Sequence, residues 1–229
     1  MTSTGLWAQV EEILGRHDLL THPYYQAWSR GELTHENLAF YAGQYYAHVS
    51  AFPTYLTSLH ARLPEGPVRR AILANAADEE GVDRGMSAPS HAALWKQFET
   101  GIATGSTADA TTLPEIENLV STYRELCSSA TLPTALGALY AYESQVPRVA
   151  ETKLSGLKSL YNADDHTCEY FELHRTADVH HSQVWRQLIS NCFEQEPECA
   201  EQILAGATSG ARALWQALDG IENARMTAA

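Results

Sequence analysis

Leu173-His174-Arg175-Thr176-Ala177-Asp178-Val179-His180-His181 is the stretch from which the rest of the chain is best read. In His174-x3-Asp178-x2-His181, two imidazoles and a carboxylate recur at offsets of four and seven residues. At about 3.6 residues per turn, those offsets bring the three side chains onto one helical face. Imidazole nitrogen and carboxylate oxygen together suit Fe, Mn or Zn. The four cysteines, Cys127, Cys168, Cys192 and Cys199, form no CxxC pair, which argues against a soft-ligand structural zinc site. A solvated polar stripe would show the same spacing in a chain with ten His, so the neighbouring segments must decide.

Two further segments supply carboxylates. Glu143 follows the apolar and aromatic run Leu139-Tyr140-Ala141-Tyr142, where a buried, unpaired carboxylate is costly and a cation would relieve it. Asp78-Glu79-Glu80 precede Gly81, and His91 begins the next expected helix. Acidic residues at a helix C-terminus oppose the macrodipole unless something compensates them. Together Glu79, Glu143 and Asp178 bring three negative charges that would repel one another in a dry core, and two divalent cations would reverse that repulsion. Helical bundles build such sites from inward-facing carboxylates and His, although the repeated Glu-x-x-His of ferritin-type sites is missing here.

The surrounding sequence reads as helix almost throughout. Segments rich in Ala, Leu, Glu and Gln carry helical apolar spacing, with no alternating β-branched runs of strand length. The expected helices cover roughly 4–18, 34–61, 65–80, 88–102, 112–128, 132–160, 163–192 and 195–222. Thr34, Glu36 and Asn37 after Gly31 form a helix start, while Pro53 and Pro147 should kink or end their segments. Gly81–Ser90 and Thr104–Thr112 read as loops, too short to be domain linkers.

With 229 residues and 45% hydrophobic content, the chain can bury a sizeable core, and a single domain over 1–229 is expected. A formal charge of −13 opposes binding to nucleic acid or anionic membranes. No stretch approaches the apolar length of a membrane span, and Met1–Val10 has no signal-peptide pattern. The few, irregularly placed cysteines fit a reducing cytoplasm.

The motifs His22-Pro23-Tyr24-Tyr25, Phe40-Tyr41-x3-Tyr45-Tyr46, Asp78-Glu79-Glu80-Gly81, His91, Ala141-Tyr142-Glu143 and the 174–181 triplet resemble the haem-oxygenase-like dimetal oxidases. That group shares its fold with the TenA thiaminases and the pyrroloquinoline-quinone synthase PqqC. Within it, the chain is most similar to the CADD-like para-aminobenzoate synthases, with matching motifs from residue 22 to 181. The resemblance implies an all-α, haem-oxygenase-like bundle of about seven to eight helices, and proteins of this fold are often homodimers.

The resemblance also implies a site. Glu79, His91, Glu143, His174, Asp178 and His181 fall at the family's metal-ligand positions, with Glu79 selected over Glu80 by alignment on Gly81. The connection from Glu79 to His91 is longer than in the family. Two metal ions, Fe/Fe or Mn/Fe, would act with O2 and an external reductant. Tyr25, Tyr41 and Lys153 match the excised tyrosine, an assisting tyrosine and the amino donor of a self-sacrificing synthesis that feeds folate production. Lys153 lies ten residues beyond Glu143 in one expected segment, so it would approach the site from its rim, whereas without the resemblance it reads as a surface lysine.

Three rival functions follow from the same residues. A multi-turnover oxidase acting on a free amine, amino acid or fatty acid keeps the ligands but has no use for Tyr25 or Lys153. A metal-free interaction module leaves the three carboxylates unexplained. A TenA-like thiaminase needs a thiol nucleophile and no His-x3-Asp-x2-His face.

Overall fold

A computed structural model describes residues 1–85, 88–103 and 111–228, leaving aside the side chains of residues 83 and 228. Among the described residues it has ten α-helices and no strand. They are α1 (Ser3–Arg16), α2 (Pro23–Arg30), α3 (His35–Arg62), α4 (Pro67–Glu79), α5 (His91–Ile102), α6 (Pro114–Ser128), α7 (Leu132–Glu143), α8 (Val146–Ser159), α9 (Asp165–Gln195) and α10 (Ala200–Ala228). Of the two expected loops, residues 86–87 and 104–110 lie outside the described residues.

Two local effects raise the helix number above the expected seven to eight. The eight-residue α2 is too short to announce itself by periodicity, and its ends are set by single residues. The His22 side chain caps the Tyr24 N–H, Pro23 occupies the first turn, and Gly31 closes the helix at φ 70°. The expected helix over 132–160 divides into α7 and α8, with Pro147 in the first turn of α8, where its missing N–H is not needed. Pro53, by contrast, does not end α3, which continues to Arg62. The start of α3 is the expected one: Thr34 and Asn37 form a reciprocal capping box.

Helix α7 is the innermost element. Every residue from Ala135 to Glu143 is buried, the mark of a helix covered on all sides. It packs on α9 and, very closely, on α10. A Cβ on Gly206 would fall 1.9 Å from the Thr134 carbonyl oxygen, and one on Gly137 would fall 2.2 Å from that of Ile203. The second half of the core is α3 against α4, α5 and α6, and α9 joins the halves by packing on α5, α7 and α8. The C-terminal ends of α4 and α7, the start of α5 and the middle of α9 therefore meet inside the molecule. No helix among the described residues is long and apolar enough to cross a membrane.

Candidate active site

Glu79 is the last residue of α4 and Glu143 the last of α7, His91 opens α5, and His174, Asp178 and His181 face inward from α9. All six are buried, at most 7% exposed. The turn that follows Glu79 needs glycine: Gly81 has φ 72°, and a Cβ there would lie 2.6 Å from the Pro89 carbonyl oxygen. Donor atoms gather in two trios, each within 4.8 Å: Glu79, His91 and His174, and Glu79, Glu143 and His181. Glu79 is common to both. Asp178 stands in neither trio; its Oδ1 accepts from His181 Nδ1 at 3.2 Å, and its Oδ2 has no hydrogen-bond partner.

Burial sets the protonation states. It pushes the Glu79 carboxyl up to about 8 and raises Glu143 as well, the latter against the pull of His181. It pulls His91 and His174 down to about 4, so both are neutral imidazoles, the form that binds metal. His181 is the exception. Burial pulls it down, but Asp178, Asp78 and Glu143 outweigh that and hold it near 11, with Nε2 at 3.1 Å from Asp78 Oδ2.

This donor set fits a pair of redox-active metal ions. Ligands of one ion lie about 2.0–2.3 Å from it, so donor atoms within 4.8 Å of one another can share it. His91 Nδ1 lies 2.8 Å from Glu79 Oε2, yet neither ring nitrogen of His91 makes a properly directed hydrogen bond. Close approach without alignment is the geometry of two ligands converging on one cation. His174 Nδ1 donates to the Tyr170 carbonyl at 2.7 Å, which leaves Nε2 for the cluster. Glu143 is held by Asn75, whose Nδ2 donates to Oε1 at 3.0 Å and Oε2 at 3.2 Å, and by Trp185 Nε1.

A second group of polar atoms lies in a different environment. Lys153 Nζ donates to Tyr25 Oη at 2.8 Å and also to Tyr41 Oη, and the two hydroxyls are 3.0 Å apart. The amine sits 4.3 Å from the Tyr25 ring centroid and 4.4 Å from that of Tyr41. Lys153 is therefore neither a surface lysine nor at the rim; it is 4% exposed, in the core. The break between α7 and α8 explains the difference, because α8 leaves the line of α7 and packs against α2 and α9. Burial holds the Lys153 amine well below its usual range and raises the Tyr25 and Tyr41 hydroxyls above theirs.

Tyr142 and Tyr170 stand between the groups. Both line a cavity of about 10 Å³ shared with Glu79, His174 and Asp178. Both also line one of about 30 Å³ shared with Tyr25 and Lys153. On the other side of the cluster, a cleft of about 580 Å³ between α4 and α9 reaches Asn75, Asp78 and His181. Tyr170, Trp185 and Asn75 join the site without belonging to any of the motifs named above. Tyr170 lies four residues before His174 and Trp185 four after His181, so extending the triplet stripe one turn each way would have found both. Asn75, four residues before Glu79, carries no comparable signal.

Comparison with known proteins agrees with this picture. Residues 39–215 match the family model described as iron-containing redox enzyme. A 4-aminobenzoate synthase from Nitrosomonas europaea is 40% identical, over 96% of this chain and 92% of the relative. One from Chlamydia pneumoniae is 35% identical, over 90% of this chain and 89% of the relative. Among solved structures, a domain with a heme oxygenase-like fold from Shewanella denitrificans superposes with a TM-score of 0.77 at 15% identity, covering 99% of this chain and 94% of that one. That last likeness is one of fold.

Proposed function

The chain belongs to the iron-containing redox enzymes, among the 4-aminobenzoate synthases, and from that premise we propose that it makes para-aminobenzoate from its own Tyr25, with Lys153 as amino donor, for folate synthesis. The observation that carries the reading is the place of the Lys153 amine. In para-aminobenzoate the nitrogen occupies the ring carbon that bears the hydroxyl in tyrosine, and Lys153 Nζ lies 2.8 Å from that hydroxyl oxygen. The carboxyl carbon of the product would be the Tyr25 Cβ.

Glu79, His91, Glu143, His174, Asp178 and His181 would hold the metals. When bound, two ions, Fe/Fe or Mn/Fe, would supply with O2 and an external reductant the oxidising power the reaction consumes. O2 and reductant would arrive through the α4–α9 cleft, which reaches Asn75, Asp78 and His181. The chain's own residues do the rest. Burial favours the unprotonated form of the Lys153 amine, which can take a proton and act as a nucleophile. Tyr41, 3.0 Å from Tyr25 Oη, relays an electron or a proton. Enclosure of Tyr25 at 3% exposure fixes the ring against its partners and excludes water, so tethering replaces a binding step. The consequence is one turnover per chain.

Intact-mass analysis after reconstitution with metal, reductant and O2 tests this. Product should appear together with chains lighter by the Tyr25 side-chain fragment and altered at Lys153. Product formed with unchanged chain mass would instead favour a multi-turnover oxidase.

A further inference from the structure

The proposed chemistry needs oxidising equivalents to travel from the carboxylate–imidazole cluster to Tyr25, and neither of the two small cavities beside them is lined by both groups. Two rings, Tyr142 and Tyr170, line the cavities on either side, and their contacts differ. Tyr142 turns toward His48 and Phe52, with ring centroids at 5.0 Å from each. Tyr170 lies on the His174 imidazole, centroids 3.9 Å apart and planes within 25°, and its carbonyl accepts the His174 Nδ1 proton. It also meets the Trp95 ring at 4.8 Å, and Trp95 lies 5.8 Å from Tyr41 and 5.6 Å from Tyr45. An unbroken series of aromatic contacts thus joins a candidate ligand to the tyrosine–lysine group, and Tyr170 is its first member.

We propose that Tyr170 is a redox relay that carries the oxidising equivalent from the metal centre to Tyr25. This rests on the function proposed above. One electron would leave the Tyr170 phenol for the dioxygen-oxidised metal centre, and the phenolic proton is held meanwhile in the hydrogen bond that Tyr170 makes with the Tyr142 hydroxyl. Tyr25 then returns an electron to Tyr170, which takes its proton back. The Tyr25 hydroxyl proton passes over the 2.8 Å contact to Lys153 Nζ. In sum, Tyr25 is oxidised by one electron, the metal centre is reduced by one, and one proton moves from Tyr25 to Lys153.

Tyr170→Phe keeps the ring on His174 and removes only the hydroxyl. The experiment loads wild type and variant with metal, reduces them anaerobically and admits O2. It follows metal content, reoxidation of the metal centre, freeze-quenched electron paramagnetic resonance with β-deuterated tyrosine, and chain mass. The expected result is wild-type metal content and reoxidation in Tyr170→Phe, with loss of the tyrosyl radical signal and of Tyr25 cleavage. Trifluorotyrosine at position 170, close to tyrosine in shape but different in potential and acidity, should shift the pH profile of radical transfer, which a merely structural ring would not do.

Tyr25 cleavage in Tyr170→Phe at the wild-type rate would overturn the relay. So would loss of metal from that variant, since the hydroxyl would then be a prop for the ligands. If wild type itself leaves Tyr25 intact, the function proposed above fails and the relay falls with it. A failure confined to Tyr170→Phe leaves that function standing.

Discussion

The carboxylate–imidazole cluster and the tyrosine–lysine cluster are buried alike, yet burial drives them toward opposite needs. In the first, Glu79 and Glu143 are pushed toward their neutral forms while His181 is held charged between Asp78 and Asp178. Divalent cations would relieve that frustration, and helix C-terminal placement of Glu79 and Glu143 adds to the demand for positive charge. In the second, the one basic side chain is Lys153, and desolvation pushes it toward the neutral amine, with two phenols as partners. One cluster is built to hold charge and the other to avoid it. The reaction proposed above would need both, and Tyr142 and Tyr170 stand between them.

The comparison breaks most sharply at Tyr25. Tyr25→Phe should abolish para-aminobenzoate while leaving two metal ions per chain, as measured by product chromatography and metal analysis. Loss of metal would mean that the two clusters are not separable.

Metal should stabilise one cluster selectively. At a free metal concentration 100 times Kd, the folded state gains about 2.7 kcal/mol, visible as a rise in melting temperature that a chelator reverses. Glu143→Gln keeps acceptor capacity for Trp185, so the metal-free chain should unfold within about 1 kcal/mol of wild type. The metal-induced rise should nevertheless largely disappear. A full rise in that variant would remove Glu143 from the ligand set.

The other cluster should show its sign in pH dependence. The folded pKa of Lys153 is depressed below its unfolded value, so the unfolded chain binds the proton first as pH falls. Stability from this group is complete above about 10.4 and is lost as pH falls toward the buried value, by up to about 1.4 kcal/mol per pH unit. Lys153→Met removes that slope. Denaturant titrations of the two proteins between neutral and alkaline pH should therefore diverge, with wild type gaining relative to the variant as pH rises. Parallel curves would mean that the amine is charged in the fold.

The smallest effects should come from the thiols, which belong to neither cluster. Burial pushes Cys127 and Cys199 up to about 12, far from a nucleophilic thiolate. Replacing each of the four cysteines in turn should leave product yield within about twofold of wild type, since none touches the reacting groups. Loss of activity in any one would revive a thiaminase-like mechanism.

Much of one cluster could be read locally. The 174–181 stripe follows from helical periodicity, and Glu143 is suspicious because an apolar run makes its burial expensive. Glu79 and His91 came only from resemblance to known proteins, because a turn closed by Gly81 and a separate helix bring them together. An unbroken helix across Pro147 would carry Lys153 to the rim of the site, whereas the break of two residues between α7 and α8 sends it into the core.

Sequence periodicity and composition carried most of the helices, the capped start of α3, and which residues share the inner face of α9. Those depend on contacts within a turn or two, and composition and spacing encode them directly. Only the tertiary structure decided that Glu79 is common to both trios, that Lys153 is an enclosed amine bonded to two phenols, and that Tyr170 bridges two cavities. These depend on helices distant in the chain packing side by side, and that convergence leaves no periodic trace in any one of them.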